Sequence, residues 1–161
     1  MTDEYLTLLS YGDNLLPDVQ NALQDRIFGK GQDSAAFETL RLQLLKRIQA
    51  DPGADVYPEL LFWYFVQRQN FEGALIQAKA LDRRKLENGE RLIRLAETAL
   101  SNENYDVAVN AYQYVAAKGT GGKYYFAARA GLLHAVDKKL TADPFVSRDE
   151  LVLLETDYYK A

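Results

Sequence analysis

Asn70-Phe71-Glu72-Gly73-Ala74-Leu75 and Asn104-Tyr105-Asp106-Val107-Ala108-Val109 are one phrase written twice. Each reads Asn, aromatic, acid, spacer, Ala, aliphatic, and the second copy begins 34 residues after the first. Asn is a favoured helix N-cap, because its side-chain oxygen accepts one of the N–H groups that the first turn leaves unpaired. Self-similarity at this period marks repeated two-helix units, each too small to bury its own apolar face.

Outward from these two starts, the rest of the chain reads as helices. Leu92, Leu95, Ala96 and Ala99 recur at i, i+3, i+4 and i+7, predicting a helix over about 88–100 that the Asn104 helix follows to near residue 118. The Asn70 helix is expected to end around residues 82–84. Before it, residues 54–69 are apolar almost all round through Leu60, Leu61, Phe62, Trp63, Tyr64, Phe65 and Val66, a pattern of a central helix. Asp51-Pro52-Gly53 is a stop and a turn after a helix over 34–50 with Phe37, Leu40, Leu44, Leu45 and Ile48 inside. Asp13 or Asn14 is a candidate N-cap, with Pro17 in the first turn, for a helix reaching Phe28, where Gly29-Lys30-Gly31 ends it. Residues 1–12 read as a short helix ending near Gly12 or as irregular chain. Gly119-Thr120-Gly121-Gly122 is a joint before a helix over 123–140, and Ser147-Arg148-Asp149-Glu150 is a capping box opening another. No stretch alternates at period two for long enough to argue a strand.

Composition narrows function by exclusion. A net charge of −4 does not suit a nucleic-acid binder. The absence of cysteine removes disulfides, thiolate metal sites and a Cys nucleophile. The longest apolar run, residues 60–66, is too short to cross a bilayer, so no membrane insertion is expected. Met1-Thr2-Asp3-Glu4 lacks the basic and apolar regions of a signal peptide, and the chain stops inside a helical pattern. The expectation is a soluble segment of a longer protein, cytoplasmic or periplasmic.

The pattern resembles the tetratricopeptide repeat family. Residues 89–122 carry the resemblance best: Leu92, Leu95, Ala96 and Ala99 match the first helix of the motif, Ala108 and Tyr112 the second. Residues 55–88 match less fully. Leu61, Phe65, Phe71 and Ala74 fit, while Phe62 takes a small position, Pro58 a large one, and Ala78 stands where an aromatic is usual. Flanking units over 20–54 and 123–161 are degenerate. In the last, a strict 34-residue period puts Arg129 at an apolar position, and a one-residue shift puts Gly131 at the small one. The resemblance implies a single all-α domain over residues 1–161, an antiparallel helix-hairpin solenoid of seven to eight helices wound into a right-handed superhelix.

The family usually binds peptides on the concave face lined by the first helix of each pair. Carried over position by position, that face holds Glu59, Trp63, Gln67 and Asn70 in one unit, Arg94, Glu97 and Ser101 in the next, and Tyr124 in the last. Trp63 is read in two ways, as an exposed anchor or as part of the core. An acid at residue 59 argues against gripping a C-terminal carboxylate.

Other candidate chemistry has simpler readings. His134 is the only histidine and has no evident partner for metal binding or base catalysis. Asp3-Glu4 and Asp149-Glu150 are acids at helix starts. Arg83-Arg84-Lys85, with Arg91 and Arg94, is interrupted by Glu87, Glu90 and Glu97, as in a solvated salt-bridged face. Gly119 to Lys123 lacks phosphate-loop spacing and follows a helix instead of a strand. No catalytic residue, metal or cofactor is expected. The function expected is a non-enzymatic scaffold for a peptide or partner protein, with self-association through open solenoid ends as a further property. The alternative is a connector within a larger bacterial protein. A third reading is an all-α enzyme or regulator whose chemistry lies outside this segment.

Overall fold

The structure, a computed structural model, describes residues 2–28 and 34–142. Among them there are eight α-helices and no strand. They are α1 (Thr2–Leu8), α2 (Leu16–Leu23), α3 (Ser34–Ala50), α4 (Val56–Gln67), α5 (Phe71–Lys85), α6 (Glu90–Ser101), α7 (Tyr105–Ala116) and α8 (Tyr125–Ala142). The glycine stop at 29–31 and the capping box at 147–150 lie outside the described residues. The chain divides into two compact units, Met1–Gln77 and Ala78–Ala161, the division falling inside α5.

In the first unit the core joins Leu6 and Leu9, Val19 and Leu23, Phe37, Leu40 and Leu44, and Val56, Tyr57, Leu60, Leu61 and Tyr64. α3 packs on α4 and on α1, and α2 touches both α1 and α4. Arg47 of α3 fastens α1: it reaches Asp3 at 2.9 Å and donates to the Thr7 hydroxyl at 3.0 Å. Arg68 lies 4.2 Å from the Phe37 ring centroid, joining the start of α3 to the end of α4. The entry to α2 differs from its sequence reading. Asp13–Leu15 form a tight 3-10 turn, Leu15 stands at the cap without a side-chain bond, and Pro17 occupies the first turn. Gln24–Phe28 then widen into a π turn.

The second unit is built from the end of α5 and from α6, α7 and α8. α7 packs on both α6 and α8, and α6 also meets α8. Its interior is rich in small residues: Ala78, Ala96, Ala99, Ala108, Ala111, Ala128 and Ala135 are fully buried. Small side chains let helix backbones come close and keep the interior dense. Gly131 shows how close: a Cβ there would lie 2.4 Å from the Tyr112 ring.

The two asparagine phrases adopt one turn. After α4, Gln69 N–H donates to Val66 O at 3.0 Å and Asn70 N–H to Phe65 O at 2.9 Å; after α6, Glu103 N–H donates to Leu100 O at 3.1 Å and Asn104 N–H to Ala99 O at 2.8 Å. This is the Schellman arrangement, which needs a left-handed residue just past the helix. Gln69 (φ 53°) and Glu103 (φ 59°) supply it although neither is glycine. Asn70 Oδ1 then accepts from Gly73 N–H at 2.9 Å, and Asn104 Oδ1 from Val107 N–H at 3.2 Å. Each asparagine therefore finishes one helix and caps the next.

α8 departs from a strict 34-residue frame. The buried positions of α6 are Leu92, Leu95, Ala96 and Ala99. The inward positions of α8 with the same spacing are Ala128, Gly131, Leu132 and Ala135, which lie 36 residues on. Neither the strict frame at Arg129 nor the one-residue shift describes it. The joint between α7 and α8, with Gly119 at φ 92°, takes up the two extra residues.

Candidate functional site

Within the first unit, Glu59, Trp63 and Gln67 run along one side of α4 at i, i+4 and i+8. Gln67 is exposed, Glu59 is partly buried, and Trp63 is half-buried against the core. Asn70 is exposed, but its side-chain oxygen is committed to capping α5.

Within the second unit, Arg94, Glu97 and Ser101 are exposed on the outward side of α6, opposite its buried set. Arg94 pairs with Glu90, and the Ser101 hydroxyl donates to Glu97 O at 2.9 Å. Tyr124 stands in the turn before α8, with the Lys123 ammonium 4.8 Å from its ring centroid. The Lys123 pKa is raised, first by its hydrogen bond to Tyr124 and by that phenol's charge, and further by Glu90. Glu90 thus pairs with Arg94 and also acts on Lys123. Burial raises the Tyr112 phenol, and the charge of Glu97 raises it further. The same ring packs on Gly131, so Tyr112 reaches from α7 to α8.

The most highly organised polar group is one that sequence reasoning passed over. The Asp82 side chain is 0% exposed and accepts from three donors. Gly89 N–H reaches Oδ1 at 2.6 Å, the Tyr114 hydroxyl reaches Oδ2 at 3.1 Å, and Lys118 Nζ reaches Oδ2 at 2.6 Å. Burial alone would raise the Asp82 carboxyl; donation from Lys118 and Gly89, and the Lys118 charge, outweigh it, so its pKa lies below the usual value. Burial and the bond to Asp82 push the Tyr114 phenol up, so it stays protonated at neutral pH. Leu86 (φ 54°), Asn88 (φ 57°) and Gly89 (φ 90°) all take left-handed conformations in the loop that Asp82 gathers. At Gly89 a Cβ would also lie 2.7 Å from Val115. A buried, ionised carboxylate whose oxygens both accept hydrogen bonds holds a loop to a helix; acid–base chemistry requires reach to a substrate. The signal was present in the sequence: Ala74, Ala78 and Leu81 mark the inner stripe of α5, and Asp82 falls on it at i+8.

Arg83, Arg84 and Lys85 are exposed in the last turn of α5, where cations suit the helix dipole. Arg91 is clamped by Glu87 through bonds of 2.9 and 2.6 Å. His134 is exposed. Among the described residues no group of three or more His, Cys, Asp or Glu is placed to hold a metal ion, and no helix is long and apolar enough to cross a membrane. Compared with known proteins, the sequence matches no family model and no curated protein.

Proposed function

We propose that the chain is a non-enzymatic scaffold of tetratricopeptide-like hairpins, stacked as a right-handed solenoid, that holds a peptide or partner protein on the outward sides of α4 and α6. The observation that carries this reading is the turn that recurs after 34 residues with the same backbone bonds, a left-handed residue at the same position and the same asparagine cap. Recurrence at that level of detail is what a stacked repeat requires. On the outward side of α6, Arg94 and Glu97 present charge without being needed inside, which suits recognition of a polar or charged peptide. The test is quantitative affinity capture from cell extract with the wild type, Trp63→Ala and Arg94→Ala. Partners held by these faces should fall several-fold in both variants while circular dichroism stays unchanged. Equal recovery of every partner would remove the proposal.

A second reading, a connector that orients neighbouring domains, is favoured by the two large apolar side chains open on the last described helix, although single ones are also open on α1, α3 and α5. Leu8 on α1 is 45% exposed, and Phe126 and Leu133 lie open on α8. Under this reading the same capture experiment returns only neighbours in the parent protein.

A further inference from the structure

The loop between α5 and α6 contains the chain's single Asn-Gly pair, Asn88-Gly89. With no Cβ on glycine, its backbone nitrogen reaches the preceding side-chain amide with least hindrance, so this pair is the one most open to spontaneous deamidation. The Gly89 amide gives its proton to hydroxide, and the bared nitrogen attacks Asn88 Cγ. An N–Cγ bond forms and the Cγ–Nδ2 bond breaks. Ammonia leaves, taking its third hydrogen from water and regenerating hydroxide. Water then opens the cyclic imide at either carbonyl, which leaves aspartate or isoaspartate at residue 88.

The fold opposes the first step. Asn88 is exposed, but Gly89 is buried. The proton that must leave Gly89 is the one donated to Asp82 Oδ1 at 2.6 Å. Removing it would set an anionic nitrogen at hydrogen-bond distance from a buried carboxylate, where like charges are poorly screened. The rest of Gly89 is fixed as well. Its carbonyl accepts Ile93 N–H at 3.0 Å, and Val115 stands 2.7 Å from where a Cβ would be. We infer that Asn88-Gly89 is a latent deamidation site, locked while Asp82 holds Gly89 N–H and released when that contact opens. Asp82 thereby guards the loop that it closes. Isoaspartate makes an opening permanent, because it runs the backbone through an added methylene and shifts Gly89 N–H out of register with Asp82. Asp82, Asn88, Gly89 and Val115 all belong to the second unit, so the inference stands whether or not the repeats hold a peptide.

The test holds the full chain in mildly alkaline buffer, folded or unfolded in urea, and counts the products at residue 88 by peptide mass spectrometry. Isoaspartate among them marks the imide route. Folded wild type should deamidate at least tenfold more slowly than the unfolded chain. Asp82→Ala, folded by circular dichroism, should recover most of the unfolded rate. Asp82→Asn keeps an acceptor and loses the charge; it should fall between the two, and it carries the test if Asp82→Ala does not fold. Two controls separate a local lock from lost stability. Ala108→Leu overpacks α7 in the same unit and should stay as slow as wild type while folded. Urea below the unfolding transition should leave the rate of the Asp82 variants flat, whereas a route through global unfolding climbs with denaturant. Folded wild type reacting as fast as the unfolded chain overturns the inference. So do Asp82 variants no faster than wild type, a rate in them that climbs in step with unfolding, an equal acceleration in Ala108→Leu, or aspartate as the sole product.

Discussion

In the α4–α5 hairpin the space beside the turn is filled by the Phe65 ring, and Gly73 yields to it; a Cβ at residue 73 would stand 2.8 Å from Cδ1 of that ring. In the α6–α7 hairpin the same two positions hold Ala99 and Val107, and both are buried. One repeat puts its bulk on the first helix and the other on the second. The backbone turn is unchanged by the exchange, so what the repeat preserves is a filled volume between two helices. The α5–α6 junction is different again. It has no asparagine cap, and Asp82 closes it from seven residues upstream.

That third junction gives the largest expected effect. Asp82→Ala strips Gly89 N–H, the Tyr114 hydroxyl and Lys118 of one shared acceptor and should cost about 3 kcal/mol in urea unfolding, the low end for a broken buried pair because Lys118 is partly in water. Asp82→Asn keeps the shape and removes the titration. Because the folded carboxyl has a lowered pKa, its stabilisation is complete above the unfolded value of about 4 and is lost as the pH falls through the folded one. The stability gap between wild type and Asp82→Asn should accordingly be widest near neutrality and close in acid. A gap that widened on acidification would mean that the carboxylate is not stabilised in the fold.

The exchange of bulk between the hairpins is tested next. Gly73→Val copies Val107 into a site still occupied by the Phe65 ring and should cost about 2 kcal/mol by overpacking. Joining it to Phe65→Ala imports both halves of the other hairpin. The pair should recover most of the loss, with a coupling of more than about 1 kcal/mol in a double-mutant cycle. Simple additivity would show that the two hairpins are alike only in backbone.

Smaller effects sharpen the same comparison. Asn70→Ala and Asn104→Ala each remove one cap and should each cost about 1 kcal/mol, by equal amounts within error in thermal or urea unfolding. Gln69→Gly and Glu103→Gly relieve a left-handed conformation that side chains resist, and each should raise stability by up to about 1 kcal/mol. A loss at either site would show that its side chain contributes more than its backbone strain costs.

The helices were legible where chemistry is local. An asparagine cap, a proline–glycine stop and the i, i+3, i+4, i+7 set of α6 each state their geometry within a few residues. The start of α2 was not, because Asn14 has the chemistry of a cap while the 3-10 turn through Leu15 carries the chain past it. The two-residue slip of α8 was also hidden: a glycine-rich joint has no period, so its length cannot be read as phase. Arg94, Glu97 and Ser101 could be placed on one outward side because α6 has a single apolar stripe. Trp63 could not, since α4 is apolar nearly all round and its pattern marks no inside. Asp82 was missed because a carboxylate at the end of a helix beside Arg83 and Arg84 looks like surface, although its phase on α5 points inward.

One asparagine serving as the end of one helix and the beginning of the next leaves a hairpin without slack. An insertion at Glu103 would break the double duty and detach α7 from its start, whereas the joint around Gly121 has already absorbed extra length and would accept more. A grafted epitope, fluorescent label or foreign loop therefore belongs at Gly121, and the two asparagine turns are places where added length would separate a cap from its helix.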